Sequence, residues 1–309
     1  MVLPLDRSDK LDKTDSMEKN KKNLHPQNRF NRPYDLQKLV NTVPELSSYI
    51  TTKLDQKYSV DFSDPQAVFL LNKALLESEY AIKDWNILPG SLCPPVPSRL
   101  NYIHYLSDIL GERNTPARVV DIGTGSNLIY PVLGHLEKGW DFIATEIHLP
   151  SIQHAKQFLS KNKTLKNHIQ IRHQQDKERI LQGVLKPEEY IDAVLCNPPF
   201  FRSAAEYQQN LQRKNQKLYG QASSTVKSNF QGLGNELWYP GGEKKFILKL
   251  IYESLELKDQ IGICSSLVSN KDHLKSLIAV LDYHGVQHQI IPLAQGNKVS
   301  RLLYWHLNG

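Results

Sequence analysis

Cysteine pairs, long apolar runs and an apolar leader are all missing from this 309-residue chain. The three cysteines, Cys93, Cys196 and Cys264, lie far apart and form no CxxC pair, which excludes a disulfide framework and a paired-cysteine zinc site. No apolar run approaches the length of a membrane span, and no signal peptide with an apolar core is present. We therefore expect a cytoplasmic protein in a reducing compartment that binds neither a membrane nor a metal ion.

The composition supports a folded enzyme with an anionic partner. Apolar residues make up 40% of the chain, enough for one large α/β domain and a smaller element. The net charge is +6 and the isoelectric point is about 9.0. This balance favours nucleic acid as a partner, although a mildly basic enzyme without such a partner has the same overall charge.

The first 98 residues divide into a tail and a small region. Residues 1–23 are polar with mixed charge, which predicts a disordered tail. Residues 24–98 are assigned to a helical, RNA-contacting region. Its first segment, 24–34, interleaves basic, amide and aromatic residues, so Arg29 and Arg32 are candidate phosphate contacts; a solvated extended segment would have the same composition. Asp64 and Pro65 mark its clearest helix start, and a proline-rich connector over 86–98 ends it.

From Arg118 onwards the sequence alternates between strand and helix patterns, which is typical of a doubly wound parallel sheet. A methyltransferase-like domain is assigned to residues 99–309. The short connection 295–298 leaves no room for a crossover helix, so the last two strands are expected to pair antiparallel. The order of elements resembles the class I S-adenosylmethionine methyltransferases, which have a Rossmann-like seven-stranded sheet with the last strand antiparallel. Strands are expected at 118–123, 141–147, 168–173, 190–197, 260–268, 286–294 and 300–307, and helices at about 101–110, 127–138, 149–161, 176–185, 242–256 and 270–284.

The tetrapeptide Asn197-Pro198-Pro199-Phe200 follows the predicted buried strand at 190–197. Because proline cannot donate to a ladder, the chain must leave the sheet here, at the carboxyl end of a strand. The Asn197 side chain and the Pro198 backbone offer carbonyl acceptors, and Phe200 offers a flat face. This set suits an exocyclic amine on an aromatic ring. A strand followed by an ordinary proline turn is the structural alternative.

A glycine-containing turn ends the first strand of the predicted sheet. It runs from Asp121 through Gly123 and Gly125 to Asn127, and its glycines allow a ligand to approach the backbone closely. A third glycine is missing, so this is not the dinucleotide fingerprint GxGxxG. An aspartate before GxG is typical of methyltransferase motif I, where it orients the amino-acid part of the cofactor. Other glycine-rich strand-to-helix turns share the pattern.

Acidic and amide side chains end the next two strands. Glu146 ends the second strand, where a carboxylate can accept hydrogen bonds from both ribose hydroxyls of a cofactor. The third strand is followed by Gln174-Gln175-Asp176, from which a side chain could reach an adenine amine. Surface charge and helix capping are the ordinary roles for such residues.

Residues 202–236 form an unusually long insert beside the proline loop. They carry five basic and two acidic residues, and long loops in compact domains are usually functional or disordered. We expect a flap that grips RNA, with Arg213 and Lys214 as candidate contacts. A solvated flexible loop is the alternative.

From Leu24 to the C-terminus the chain resembles the bacterial ribosomal RNA large subunit methyltransferase F family. It is also similar to the catalytic domain of a eukaryotic methyltransferase-like enzyme that acts on small nuclear RNA. Seven segments carry the resemblance in the same order: Leu24-His-Pro-Gln-Asn-Arg29, Cys93-Pro-Pro-Val-Pro97 with Arg99-Leu-Asn-Tyr-Ile-His104, Asp121-Ile-Gly-Thr-Gly125 with Ile129-Tyr-Pro131, Asn197-Pro-Pro-Phe200, Gly241-Gly-Glu243, Ser265-Ser-Leu-Val268, and Ala294-Gln-Gly296 with Ser300-Arg301.

The resemblance implies S-adenosylmethionine-dependent N6-methylation of one adenine in 23S ribosomal RNA. The acceptor is then naked RNA or an assembling large subunit, and the enzyme is expected to be a monomer. The cofactor contacts that the resemblance implies are Arg99, Gly123, Asn127, Glu146, Asp176 and Asn197. Asn197, Pro198, Pro199 and Phe200 are the predicted catalytic loop.

Two other functions compete with this hypothesis. A protein-glutamine methyltransferase shares the NPP sequence, but it usually carries tyrosine at the position of Phe200 and has no need of a basic flap. A non-catalytic RNA-binding assembly factor could keep the fold alone, but it would have no reason to retain both motif I and the NPPF loop.

Overall fold

The computed structural model describes residues 24–52, 58–62, 64–89, 91–203, 205–206, 209, 238–295 and 298–307. The predictions for the tail at 1–23, for Arg213 and Lys214, and for most of the insert at 202–236 fall outside these residues.

The N-terminal region is helical with one small hairpin. Helix α1 spans Leu36–Thr42, strands β1 (Ile50–Thr52) and β2 (Tyr58–Val60) pair antiparallel, and helix α2 spans Pro65–Tyr80. The predicted start of α2 is confirmed, because Asp64 Oδ1 accepts hydrogen bonds from the backbone N–H of Gln66 and Ala67, at 2.7 and 3.2 Å. The hairpin was not predicted, since three-residue strands are too short to show an alternating pattern.

Helix α3 spans Val96–Leu110 and begins five residues earlier than the expected Asn101. The proline connector therefore ends at Pro95, not at residue 98. Pro97 lies in the first turn of the helix, where a missing N–H costs no hydrogen bond. The predicted domain boundary at 98/99 falls inside this helix.

A seven-stranded sheet forms the rest of the molecule, and it confirms the predicted fold class. The elements after α3 are β3 (Arg118–Ile122), α4 (Ile129–Lys138), β4 (Asp141–Glu146), α5 (Leu149–Lys161), α6 (Lys163–Lys166), β5 (Ile169–His173), β6 (Ile191–Cys196), α7 (Gly242–Glu256), β7 (Ile261–Val268), α8 (Leu274–Tyr283), β8 (His288–Gln295) and β9 (Lys298–His306). The strand order is β5-β4-β3-β6-β7-β9-β8, and β9 alone runs antiparallel to both of its neighbours. The order reverses between β3 and β6, which is where open α/β sheets bind ligands.

The helix predicted at 176–185 is wrong, because this segment forms turns. The buried carboxylate of Glu253 on α7 accepts hydrogen bonds from the backbone N–H groups of Ile180, Leu181 and Gln182, at 2.7–3.1 Å. Gly183 follows with φ of +79°, a left-handed conformation that interrupts a right-handed helix. The predicted helix at 270–284 is also shorter, because a 3₁₀ turn at Lys271–His273 precedes α8.

Alternate residues of the central strands enter two hydrophobic clusters, one on each face of the sheet. Val119 packs into the cluster that contains α2, α3 and α4, whereas Val120 packs into the cluster that contains α7 and α8. Leu46, Leu75 and Leu76 of the N-terminal region belong to the first cluster. The N-terminal region and one face of the sheet therefore share a core. None of the described helices combines the length and apolarity of a membrane span.

Close packing of α4 on β4 yields a test of the fold. A Cβ atom on Gly134 would lie 2.6 Å from Cε2 of the buried Phe142 ring, so we expect Gly134→Ala to lower the free energy of unfolding by about 1–3 kcal/mol. Phe142→Leu shortens the opposing side chain. Chemical denaturation should show that the double variant is more stable than the sum of the two single effects predicts. Strict additivity would contradict this contact.

Candidate active site

The turn after β3 is closed on its β4 side and open on the other. Its backbone N–H at Thr124 donates to the Thr145 carbonyl, and the N–H of Gly125 donates to Glu146 Oε2, both at 2.9 Å. Gly123 and Gly125 have φ of +69° and +66°, as a tight turn without side chains requires. A Cβ on Gly123 would meet nothing within 4 Å. The turn thus presents bare backbone to open space.

Glu146 fastens this turn to the start of α5. Its side chain is buried at 4% exposure. While Oε2 accepts from Gly125, Oε1 accepts from the backbone N–H of Ile147 and His148, at 2.8 and 2.9 Å. Hydrogen bonds to a carboxylate are stronger than neutral ones. Glu146 therefore has a structural role that the sequence did not indicate, and its contact with ribose remains a prediction.

Asp121 is a buried carboxyl group at the end of β3. It is 1% exposed, and Oδ2 has no hydrogen-bond partner among the described residues. Burial raises the pKa of Asp121 to about 8. The Thr124 hydroxyl lowers this pKa, the Glu146 carboxylate raises it and the Arg99 guanidinium lowers it again, all by less than burial does. A cation or a hydrogen-bond donor placed here would favour the ionised form.

Arg99 lies in the first turns of α3 and faces the same edge of the sheet. Its Nη1 donates to the hydroxyl of the buried Tyr130 at 3.0 Å, and its guanidinium carbon lies 5.4 Å from the centre of that ring. Because the Arg99 charge lowers the pKa of Asp121, the predicted contacts Arg99 and Asp121 are brought into one electrostatic environment.

Tyr102, one turn after Arg99, supports the end of β6 and was missed by the sequence reasoning. Its hydroxyl donates to Ser265 Oγ at 2.9 Å and accepts from the Cys196 N–H at 3.3 Å. Ser265 Oγ in turn donates to the Val194 carbonyl at 2.8 Å. These bonds tie α3, β6 and β7 together directly before Asn197. The sequence places Tyr102 on the same helical face as Arg99, but this spacing does not indicate the partners of its hydroxyl.

The proline loop after β6 presents an amide and a ring. Asn197 Oδ1 is buried without a hydrogen-bond partner among the described residues, whereas Phe200 is 38% exposed. Pro198 between them is buried. The far end of the loop is anchored near α7, since the Tyr239 N–H donates to the Phe201 carbonyl at 2.9 Å. The anchored loop therefore carries an acceptor with no partner among the described residues and, three residues later, an exposed aromatic ring.

Two of the predicted cofactor residues have side chains occupied elsewhere. Asn127 Oδ1 accepts from the Ile129 N–H at 3.0 Å at the start of α4. Asp176 follows β5, accepts from the Glu178 N–H at 2.9 Å and lies 3.1 Å from Arg179 Nε. Asp176 therefore stabilises its own turn. The residues that meet at the carboxyl edge of the sheet come from β3, β4 and β6, which are adjacent.

The two arginines predicted to contact RNA differ in their surroundings. Arg29 Nε lies 2.7 Å from Glu137, its Nη1 lies 3.6 Å from Glu79, and its guanidinium stacks on Tyr80 at 4.5 Å. Arg32 is exposed. Arg29 thus has ion pairs and a stacking contact that hold it in place, whereas Arg32 is exposed to solvent.

Known proteins resemble the chain over almost its whole length. A family model described as RNA methyltransferase matches residues 18–308. The Bacteroides fragilis (strain YCH46) protein named ribosomal RNA large subunit methyltransferase F is 39% identical over 297 residues, covering 91% of this chain and 97% of its own. The protein of the same name from Salmonella heidelberg (strain SL476) is 41% identical over 298 residues, covering 95% and 96%.

Solved structures of one eukaryotic enzyme share the fold. The human METTL16 catalytic domain in complex with MAT2A 3′UTR hairpin 1 superposes with a TM-score of 0.78 at 31% identity, covering 93% of this chain and 96% of that one. The N-terminal domain of human METTL16 in complex with SAH gives a TM-score of 0.73 at 28% identity, covering 93% and 99%.

The raised pKa of Asp121 predicts how stability depends on pH. Between the unfolded value of 3.8 and the folded value of about 8, the folded state binds more protons at this group than the unfolded state does. This group therefore makes the protein less stable as pH rises through that window. Asp121→Asn cannot titrate, so its stability relative to wild type should increase from pH 5 to pH 8 by at least about 1.4 kcal/mol, the equivalent of one pKa unit. Denaturation of both proteins at several pH values checks this, and a constant difference would contradict it.

Proposed function

Because the chain belongs to the RNA methyltransferase family, as a member of the ribosomal RNA large subunit methyltransferase F group, we propose that it methylates N6 of one adenine in 23S ribosomal RNA with S-adenosylmethionine. The chain is an RNA methyltransferase. The cofactor, the target atom and the residues that perform the reaction are what we propose beyond this family membership.

One observation carries the choice of target. Asn197 Oδ1 is a buried acceptor with no partner among the described residues, and it stands three residues from the exposed ring of Phe200. Leaving such an acceptor unpaired costs about 1–3 kcal/mol, so a ligand donor belongs there. An aromatic exocyclic amine supplies that donor together with a flat ring.

Asn197 and Phe200 hold the adenine after it has left its stack. Asn197 Oδ1 and the Pro198 carbonyl each accept one N–H of the amine. These two bonds draw its lone pair out of the ring and aim it across the loop. Phe200 stacks on the base. Pro199 and the Tyr102 hydroxyl restrain the loop, so Asn197 and Phe200 are in position before the base arrives. Alignment of the reacting groups supplies much of the rate enhancement in such displacements.

The open turn beside β3 fits the cofactor. The bare backbone at Gly123, the unpartnered Asp121 Oδ2 and the nearby Glu146 offer acceptors and space for a positively charged amino acid joined to a nucleoside. S-adenosylmethionine supplies the methyl group when bound. Asp121 and Arg99 would hold the charged amino-acid end, Glu146 the ribose, and Gly123 and Gly125 the close backbone contact. Asn127 and Asp176 are proposed as weaker contacts, because their side chains already cap local turns.

We also propose that the chain contacts RNA through basic residues outside this site. Arg32 is free to reach phosphate, and Arg29 does so only while remaining tied to Glu79 and Glu137. Arg213 and Lys214 remain proposed contacts from the insert. The proposed substrate is either naked 23S ribosomal RNA or a large-subunit assembly particle, and turnover of the two can be compared.

Replacing Asn197 tests the target site. Asn197→Ala removes an acceptor that acts on the reacting amine, so kcat for ribosomal RNA should fall by about 10²–10³-fold, the scale for one lost transition-state hydrogen bond. The affinity for S-adenosylmethionine, measured by calorimetry, should fall much less than kcat, although the resemblance also implies a cofactor contact at Asn197. Mass spectrometry of the RNA product identifies the methylated base. Near-normal turnover of Asn197→Ala, or methyl on a nucleoside other than adenosine, would refute the assignment.

Proton release tests the contact of Asp121 with the cofactor. A positive charge bound beside Asp121 should lower its pKa from about 8, so binding at pH 7 should release a proton and affinity should rise with pH towards 8. Calorimetry in two buffers of different ionisation enthalpy measures that proton. In Asp121→Asn the release should disappear. If wild type and Asp121→Asn released equal numbers of protons, Asp121 would not face the cofactor.

A further inference from the structure

Positive charge is concentrated in one segment of the chain. Residues 147–175 contain five lysines and arginines and no aspartate or glutamate, which leaves 33 basic and 32 acidic residues in the rest of the sequence. The segment comprises α5, α6 and β5, and β5 is an edge strand of the sheet. The segment therefore carries a net charge of +5 before its ion pairs with other segments are counted.

Beyond its first turn, where Leu149 is 54% exposed, helix α5 turns a polar face to solvent. Its buried face consists of Ile152, Ala155, Phe158 and Leu159, at the spacing of an amphipathic helix. The exposed face carries lysines, amides and a hydroxyl, with neither a carboxylate nor an exposed aromatic ring: Gln153, Lys156, Gln157, Ser160 and Lys161. Helix α6 continues this face with the exposed side chains of Lys163 and Lys166.

Three lysines of this face have no neutralising partner. Two nearby carboxylates are paired with other cations, Asp84 with Lys161 at 3.2 Å and Glu189 with Arg118 and Arg172 at 2.7 and 2.6 Å. The Asp141 carboxylate lies 2.7 Å from His168 Nδ1. Lys156, Lys163 and Lys166 make no ion pair with any residue that the structure describes. We call these three residues the lysine surface.

The lysine surface borders a groove at the sheet edge opposite the active site. Lys156 and Lys166 line this groove of about 910 Å³, and Arg118, Asn167 and Gln170 add further hydrogen-bond donors. Helix α5 starts three residues after Glu146 and has 13 residues, so its far end lies about 20 Å from the carboxyl edge of the sheet. A ligand in the active site must be long to reach the groove.

We propose that the lysine surface binds the phosphate backbone of a double-helical RNA segment that flanks the methylated nucleotide. The proposal rests on the proposed function only in taking RNA as the methyl acceptor. Unpaired lysines contact phosphates, and the surrounding amides and hydroxyls suit phosphate and 2′-hydroxyl groups. Single strands usually need aromatic platforms for their bases, and α5 and α6 expose none. The surface therefore fits the shape of a duplex and does not read its sequence.

The test compares two pairs of charge-removing substitutions. The first pair is Lys156→Gln with Lys166→Gln. The matched control is Lys186→Gln with Lys258→Gln, two exposed lysines near the same edge of the sheet, beside the starts of β6 and β7. The probes are an RNA duplex of about 20 base pairs, slightly more than a duplex-binding domain spans, and a single strand of equal length. Filter binding over a range of salt concentrations gives the slope of log K against log salt.

Loss of two phosphate contacts should reduce that slope for the duplex by about 1.8, at about 0.9 per contact. The control pair should keep the wild-type slope, and the single strand should be affected less than the duplex. If both pairs lowered duplex affinity equally, or if the first pair behaved as wild type, the lysine surface would not be a binding site.

Measuring turnover distinguishes failure of the lysine surface as an RNA-binding site from failure of the proposed methyltransferase function. With deproteinised 23S ribosomal RNA the first pair should show a several-fold higher KM for RNA, with unchanged kcat and unchanged S-adenosylmethionine affinity. An unchanged KM would overturn the role of the surface in catalysis of long substrates. If the wild-type enzyme methylated no ribosomal RNA yet the duplex binding difference remained, the proposed function alone would fail.

Discussion

The candidate active site depends on the parallel alignment of β4, β3 and β6. Because these three strands are adjacent and run in one direction, the groups that follow them meet at one edge although they are far apart in sequence. Glu146, the glycine turn and the proline loop need no further element to bring them together. The strand order reverses between β3 and β6, where open α/β sheets bind ligands. Asp121 in β3 and Asn197 directly after β6 each have one buried side-chain oxygen with no hydrogen-bond partner among the described residues.

Buried glutamates hold the loops of this edge in place. Glu146 binds the glycine turn, Glu253 binds three successive N–H groups after β5, and Glu243 accepts from Ser269 and Asn270 after β7. Each carboxylate replaces the regular backbone partners that an irregular segment lacks. A charge-assisted bond of this kind contributes about 1.5–3 kcal/mol, which is enough to hold a turn where no helix forms.

The sequence predicted most of the sheet because its patterns are local. Apolar runs marked every strand from β3 to β9, and the length of the connection at 295–298 was enough to predict the antiparallel pairing. It failed at 176–185, where a carboxylate from α7, more than 70 residues away, decides the conformation. It also missed Tyr102, because a buried tyrosine in an apolar helix looks like core until its hydroxyl partners on β6 and β7 are known. The sequence likewise did not indicate that Glu146 binds the glycine turn and the start of α5, because those partners are known only once the fold is known.

The hydroxyl pair of Tyr102 and Ser265 joins residues 163 positions apart, and this has a consequence for synthesis on the ribosome. α3 leaves the exit tunnel long before β7, so the support directly beneath Asn197 cannot form until most of the chain has emerged. A nascent chain therefore carries the proline loop without the bonds that align it. Complete support of the proline loop is thus a late event in synthesis, and it requires nearly the full length of the chain.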